Sequence, residues 1–145
     1  MEMNLNIAEK ISEKCLEKAE KINVPMIISI VGNDGRLITI KKMDGALPVS
    51  IKISQAKAYT AYALKMRSDE LGELSQPGKM LYGIDTVCDD IVLFGGGIPL
   101  KANGEVIGAV GVSGGSVEED MSVAEAGVKF FNNRYTNSWW IFLRR

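Results

Sequence analysis

The chain contains no histidine among its 145 residues. Histidine is the side chain that most readily changes charge near neutral pH, and it is the commonest metal ligand in proteins. Its absence excludes Ser-His-Asp and Cys-His catalysis, and it excludes any metal or haem site that uses imidazole ligands. Any acid–base chemistry of this chain would therefore have to come from carboxylates, amines or thiols.

Cysteine is scarce, and long apolar runs are lacking. Cys15 and Cys88 lie far apart and form no Cys-x-x-Cys motif, so neither a redox motif nor a zinc ribbon is predicted, and no metal site is expected. The first ten residues lack the apolar core of a signal peptide. No apolar run approaches the roughly 18 residues that a membrane span needs. These absences predict a cytoplasmic protein in a reducing compartment, without a membrane partner.

The chain also lacks a strong excess of either charge. Its net charge is −1, which gives no electrostatic reason to expect a nucleic-acid partner. Residues 134–145 are atypical, because they hold three arginines, no acid and the run Trp139–Leu143. This tail either packs against a neighbouring subunit or derives from an altered reading frame or an expression vector. Residues 1–133 are expected to form a single domain.

Apolar periodicity and turn signals predict the elements of the first half of the chain. A helix is expected over 7–22, with Asn6 as its cap. The turn Asn33-Asp34-Gly35 separates two apolar runs, which predicts an antiparallel hairpin of strands 26–32 and 36–42. A second helix is expected over 51–66, capped by Ser50, and a short third helix over Ser68–Leu74.

The second half is predicted to be mainly strands. These are expected at 91–94, 98–101 and 105–112, with a tight turn at Asn103-Gly104. Ser116 and Glu119 form a capping box that opens the last helix. The predicted fold is therefore α+β, with one five-stranded, mostly antiparallel sheet flanked by helices.

Glycine is concentrated in one stretch: eight of the fifteen glycines lie within residues 95–115. The stretch contains neither the Gly-Lys-Ser/Thr step of a P-loop nor a Gly-x-Gly-x-x-Gly fingerprint at a strand-to-helix turn. An anion site at the helix start near Ser116 and a simple capped turn both remain open. Close backbone approach best explains the glycines, and it predicts that Gly95, Gly96 and Gly97, with Pro99, form the rim of a pocket.

Three segments together carry a resemblance to a known family: RLITIKKMDGALPVSIKISQAKAYTA (36–61), FGGGIPL (94–100) and GEVIGAVGVSGGSVEEDMSVAEAG (104–127). In this order and spacing they resemble the GlcG/HbpS family, which includes the C-terminal domain of PduO-type corrinoid adenosyltransferases. The resemblance covers about residues 5–133. It implies a profilin-like fold, a homo-oligomer, and association with haem or a corrinoid. It also implies an operon that encodes a metabolic enzyme as a further partner.

The predicted ligand site combines the glycine rim with Met43, Asp44, Gly45, Lys57 and Asp120. Asp44 either lines the pocket or caps a turn. Lys57 either pairs with an anionic group of the ligand or forms a salt bridge within the protein. Asp120 either reaches towards the glycine loop or a neighbouring subunit, or interacts with the helix dipole.

Three functions stay open at this point. The first is an accessory protein that binds a small molecule, with no catalytic residue. The second is an enzyme that uses Asp44, Lys57 and Asp120 on a small metabolite. The third is a structural subunit of a larger assembly. The resemblance implies a histidine ligand in haem-binding relatives, so haem here would need another ligand; the available side chains are Met43, Met66, Met80, Tyr59, Tyr62 and Tyr82.

Overall fold

The fold is described from a computed structural model for residues 1–136. Along the chain, the described elements follow one another in the order helix, two strands, three helices, two strands and helix. The helices are α1 (Leu5–Lys21), α2 (Ser50–Leu64), α3 (Ser68–Leu74), α4 (Ile84–Val87) and α5 (Val117–Phe131). The strands are β1 (Ile27–Val31), β2 (Leu37–Lys42), β3 (Gly97–Ala102) and β4 (Glu105–Ser113). A π-helical turn, Asn132–Thr136, follows α5.

The four strands form one antiparallel sheet in the order β2-β1-β4-β3. β1 lies in the interior of the sheet and is buried along its whole length. Pro99 lies on β3, an edge strand, where its missing N–H group breaks no central ladder. The predicted α+β class is confirmed. The predicted fifth strand is wrong, and the profilin-like arrangement stays a prediction.

The segment predicted as strand 91–94 crosses the helices instead of joining the sheet. The N–H group of Val92 donates to the Thr60 hydroxyl on α2 at 2.9 Å. The Leu93 carbonyl lies against Gly72 of α3. The short apolar run looks like a strand in the sequence, but its backbone bonds to a helix side chain, which only the tertiary arrangement reveals.

Two predicted helix caps are also wrong in position. Asn4, rather than Asn6, caps α1, and its side chain accepts from the Ile7 N–H group at 2.9 Å. Ser50 is the first residue of α2 and lies within 3.0 Å of the Ser113 hydroxyl on β4. The capping box at the start of α5 is confirmed, because Ser116 and Glu119 each accept from the backbone N–H group of the other.

The sheet lies between two helical layers. α1 and α5 cover one face, where Ile28 and Ile30 of β1 join Val110 and Val112 of β4 in the larger core cluster. α2 covers the other face, and its Ser54 hydroxyl bonds to the Ser29 hydroxyl at 2.8 Å.

Gly111 lets α2 approach β4 closely. A Cβ atom at this position would collide with the Ser54 carbonyl and would stand 2.5 Å from the Ala58 nitrogen. One glycine of the dense stretch therefore serves helix–sheet packing. Across residues 1–136, no helix combines the length and the apolar character needed to cross a membrane.

Candidate functional site

Lys57 and Asp120, two of the predicted site residues, form a buried ion pair. The Nζ atom of Lys57 lies 2.8 Å from Oδ2 of Asp120. Only 1% of the Lys57 side chain and 4% of the Asp120 side chain are exposed. Of the two interpretations of Lys57, the intramolecular salt bridge is the one that the structure contains.

Lys57 and Asp120 also make contacts with other groups inside the protein. Lys57 also donates to the Val112 carbonyl at 2.9 Å, and its Nζ lies 5.2 Å from the centre of the Phe94 ring. The other carboxylate oxygen of Asp120 accepts from the Gly115 N–H group at 2.8 Å. Among residues 1–136, no buried side-chain nitrogen or oxygen lacks a hydrogen-bond partner. Neither charged group is open to a ligand. Through their bonds to Val112 and Gly115, the two groups instead hold the backbone at the end of β4 in place.

Burial shifts the pKa values of both partners toward their neutral forms. It lowers the pKa of Lys57 and raises the pKa of Asp120, and the hydrogen bond and charge of each partner oppose the shift in the other. Each charge is therefore tolerated in the interior chiefly because the other is beside it.

The glycine turn is seated directly on this pair. Gly96 has φ of +132°, and a Cβ atom there would stand 2.7 Å from both Nζ and Cδ of Lys57. The Gly96 N–H group points to the Met121 sulfur at 2.8 Å, and the Gly97 N–H group donates to the Ser68 hydroxyl at 2.9 Å. The structure thus brings together the predicted residues Lys57, Asp120 and Gly95–Gly97.

The predicted residues Met43, Asp44 and Gly45 lie elsewhere. The Met43 sulfur accepts from the Met26 N–H group at 3.3 Å, and its side chain packs against the core on the α1 and α5 side. Asp44 and Gly45 are exposed, and Gly45 is beside Pro25. Within residues 1–136, no hydrogen bond or ion pair links these three residues to Lys57, Asp120 or the glycine turn. The clefts described for this part of the chain are lined by other residues.

An open cleft of about 320 Å³ lies between α2 and the β1–β2 hairpin. We call it the α2 cleft. Leu37 and Ile51 are large apolar residues at this cleft, each a little over 40% exposed. Its other lining residues are Val31, Gly35, Lys52, Gln55, Ala56, Tyr59 and Asp90. Its described lining therefore combines apolar walls with the ammonium group of Lys52, the carboxylate of Asp90 and the phenol of Tyr59.

Helical spacing places the polar side chains of the α2 cleft on one face. Lys52, Gln55 and Tyr59 are separated by three and four residues, so they follow one another along the helix surface. The Tyr59 hydroxyl forms no hydrogen bond to any part of residues 1–136. Tyr62, one turn further on, donates its hydroxyl to the Asn33 carbonyl and so ties the hairpin turn to α2.

The sequence indicates Tyr59 only as one of six haem-ligand candidates, and it does not predict the cleft. Among those six, Tyr59 is the one that lines the α2 cleft. Met80 and Tyr82 line a different cleft, of about 310 Å³, around α4. The sequence feature that could have indicated the cleft is the helical spacing of Lys52, Gln55 and Tyr59. These residues lie on the solvent face of a helix that also presents the apolar Ile51.

Relatives of this chain match it over most of its length. An uncharacterised 15.0 kDa protein from the dhaT–dhaS intergenic region of Citrobacter freundii is 44% identical over 131 residues, which is 90% of this chain and 92% of that protein. The corrinoid adenosyltransferase PduO of Salmonella typhimurium LT2 is 38% identical over 85% of this chain. The match covers only 37% of that longer protein.

Solved structures and a family model point to the same group of proteins. The Klebsiella pneumoniae protein ORFY superposes with a TM-score of 0.88 at 38% identity, covering 91% of this chain and 92% of that one. A PduOC–heme complex gives a TM-score of 0.86 at 35% identity, covering 89% and 94%. The model of the family described as haem degrading protein HbpS-like matches residues 3–129. The chain belongs to the HbpS-like family, as the resemblance in its sequence predicts.

Proposed function

We propose that this chain is an accessory binding protein whose ligand is a tetrapyrrole, haem or a corrinoid, held at the α2 cleft. The observation that carries the proposal is the cleft itself, with apolar walls beside a lysine and a phenol that forms no hydrogen bond to residues 1–136. The family supports the same ligand class, because one relative is solved as a heme complex and another is a corrinoid adenosyltransferase.

The residues of the cleft fit the chemistry of haem. Leu37 and Ile51 offer apolar contact to a ring face, and the Lys52 ammonium suits an anionic ring substituent. Tyr59 supplies an oxygen donor, which is one of the known axial ligands of haem iron. Asp90 lies at the same cleft and would repel carboxylates, so the anionic edge of the ligand should face Lys52.

The size of the cleft supports a ligand that is shared between subunits. About 320 Å³ lies at the small end of the range for small-molecule sites, so the cleft would cover only part of a tetrapyrrole. Leu47 and Val49 lie just before α2 in the chain and are each more than half exposed, so they add apolar surface near the start of this helix. A second copy of the chain packing here would cover both the surface and the ligand. The homo-oligomer and the operon enzyme partner are parts of this proposal.

The buried pair gives the enzyme hypothesis little support. Lys57 and Asp120 do converge, but below the glycine turn and fully hydrogen-bonded. A general acid or base must reach the substrate by a direct contact or through one water. The pair is better suited to shaping the Gly95–Gly97 turn, and the pocket predicted at that turn stays a prediction.

Spectrophotometric titration with ferric haem and, separately, with cobalamin tests the proposal. We expect saturable binding of at least one of them, seen as a shifted Soret or corrinoid spectrum. Leu37→Asp should weaken it, because it places a charge on the apolar wall. The matched control is Leu5→Asp, which changes a leucine of similar exposure on α1. Lack of binding below millimolar ligand, or equal weakening by both variants, would overturn the proposal.

A further inference from the structure

We propose that Tyr59 is the axial ligand of a ferric haem at the α2 cleft. This assignment rests on the proposed function and narrows it to one ligand and one oxidation state. The phenol oxygen would bind the iron directly, which makes Tyr59 the residue that selects haem over other flat molecules of similar size.

The donor set of the cleft leads to this choice by elimination. The chain has no histidine, so no imidazole can serve. Among residues 1–136, no sulfur-bearing side chain lines the cleft. Its remaining donors besides Tyr59 are Lys52, Gln55 and the exposed carboxylate of Asp90. Lys52 is a flexible, strongly hydrated cation and a neutral amide is a weak ligand. Tyrosine is an established ligand of haem iron, whereas a carboxylate such as that of Asp90 is not among the usual ones.

The position of Tyr59 is rigid although its hydroxyl is open. Tyr59 lies in the middle of α2, and the opposite face of this helix is buried against β4 and β1. The Tyr59 ring lies 3.8 Å from the position that a Cβ of Gly35 would take, so it borders the hairpin turn. Its neighbour Tyr62 is already committed to Asn33 and cannot replace it. A ligand atom on a packed helix that forms no hydrogen bond to residues 1–136 breaks no such bond on binding a metal, which limits the cost of binding.

The chemistry of the phenol predicts selectivity for the oxidised iron. Tyr59 would hold the iron as the anion, and its hydroxyl proton would pass to solvent on binding. An anionic oxygen is a hard ligand that stabilises the more highly charged ferric ion. We therefore expect chemical reduction of the iron to weaken binding.

The test uses the full chain and two probes, ferric haem and metal-free protoporphyrin. With ferric haem, the wild type should show a phenolate-to-iron charge-transfer band and the phenolate modes in resonance Raman spectra. Tyr59→Phe should lose both and should bind ferric haem at least about tenfold more weakly, since even outer-shell partners of a metal change its affinity by about 10–100-fold. Its affinity for protoporphyrin should change by less than about threefold, because the apolar walls are intact.

Tyr82→Phe is the matched control, because Tyr82 is exposed and lies at the α4 cleft. It should match the wild type with both probes, and circular dichroism should show all three proteins equally folded. If Tyr59→Phe keeps the haem spectrum and affinity of the wild type, the assignment is wrong while the proposed function stands. The assignment is also wrong if the wild type binds both probes without phenolate signals. If the wild type binds neither probe, the assignment is wrong, and the proposed function fails with it only if cobalamin does not bind either.

Discussion

Removal of one member of the buried ion pair is the sharpest test of how the protein interior is stabilised. In Lys57→Met, a side chain of similar length keeps most of the apolar contacts, but Asp120 loses its counter-ion. Asp120 retains one hydrogen bond, from Gly115, and the Val112 carbonyl loses its lysine donor. A carboxylate that is only 4% exposed would thus remain charged without a cation in contact with it.

The expected loss is large because desolvation is no longer offset. Breaking a buried ion pair by removing one partner costs about 3–5 kcal/mol of unfolding free energy. For a chain of this size, each kcal/mol lowers the melting temperature by roughly 2–4 °C, so a fall on the order of 10 °C is expected. The double variant Lys57→Met/Asp120→Asn removes the isolated charge and should recover about 2 kcal/mol of the loss.

The pH dependence of the unfolding free energy of Lys57→Met provides a second, independent test. Burial already raises the pKa of Asp120 above its ordinary 3.8, and removing Lys57 takes away the main opposing cause. Between the unfolded and folded pKa values, the folded state then binds more protons than the unfolded state. Stability of the variant should therefore rise as pH falls through this window, and its deficit against the wild type should be smaller at pH 4 than at pH 7.

Chemical denaturation followed by far-UV circular dichroism measures these differences. The matched control is Lys52→Met on the same helix, whose side chain is exposed and should change stability by less than about 0.5 kcal/mol. A loss below about 1 kcal/mol for Lys57→Met, or one that grows as the pH falls, would refute the reasoning.

Three further predictions concern packing, thiol burial and capping. Gly111→Ala should destabilise the fold by about 1–3 kcal/mol in the same denaturation assay, because its Cβ would collide with the α2 backbone, and a neutral result would contradict that close approach. Iodoacetamide should modify the exposed Cys88 in the native protein but Cys15 only after unfolding, as mass spectrometry can show. The reason is that burial raises the pKa of the Cys15 thiol to about 12, and equal labelling rates would contradict it. Asn4→Ala should lower the melting temperature by an amount that corresponds to about 1 kcal/mol, whereas Asn6→Ala should have a smaller effect. The reverse order would show that Asn6, as predicted from the sequence, is the cap.

Elements that depend on neighbouring residues were predicted well from the sequence. The hairpin around Asn33-Asp34-Gly35 and the capping box at Ser116 are found where the pattern indicates. The error at the start of α1 has a local cause, since Asn4 and Asn6 are equally good caps and only the helix length distinguishes them.

The candidate site was predicted less completely. The α2 cleft was not predicted, because α2 carries apolar side chains on both its buried and its exposed faces. The periodicity of the sequence therefore does not separate a core face from a binding face. The predicted strand 91–94 failed for a similar reason, because an apolar run does not say whether its backbone will meet a strand or the Thr60 side chain.

The amino-acid sequence by itself determined the fold class, the family and the exclusion of histidine chemistry, because these depend on composition, spacing and local turn signals. Only the tertiary structure decided that Lys57 and Asp120, 63 residues apart, meet as a buried pair beneath the glycine turn. The physical reason is topological: α2 packs on β4, and α5 begins directly after β4, so the sheet brings the two charges to one point. The same arrangement left Tyr59 on the outer surface of α2, where the proposed chemistry of this protein now lies.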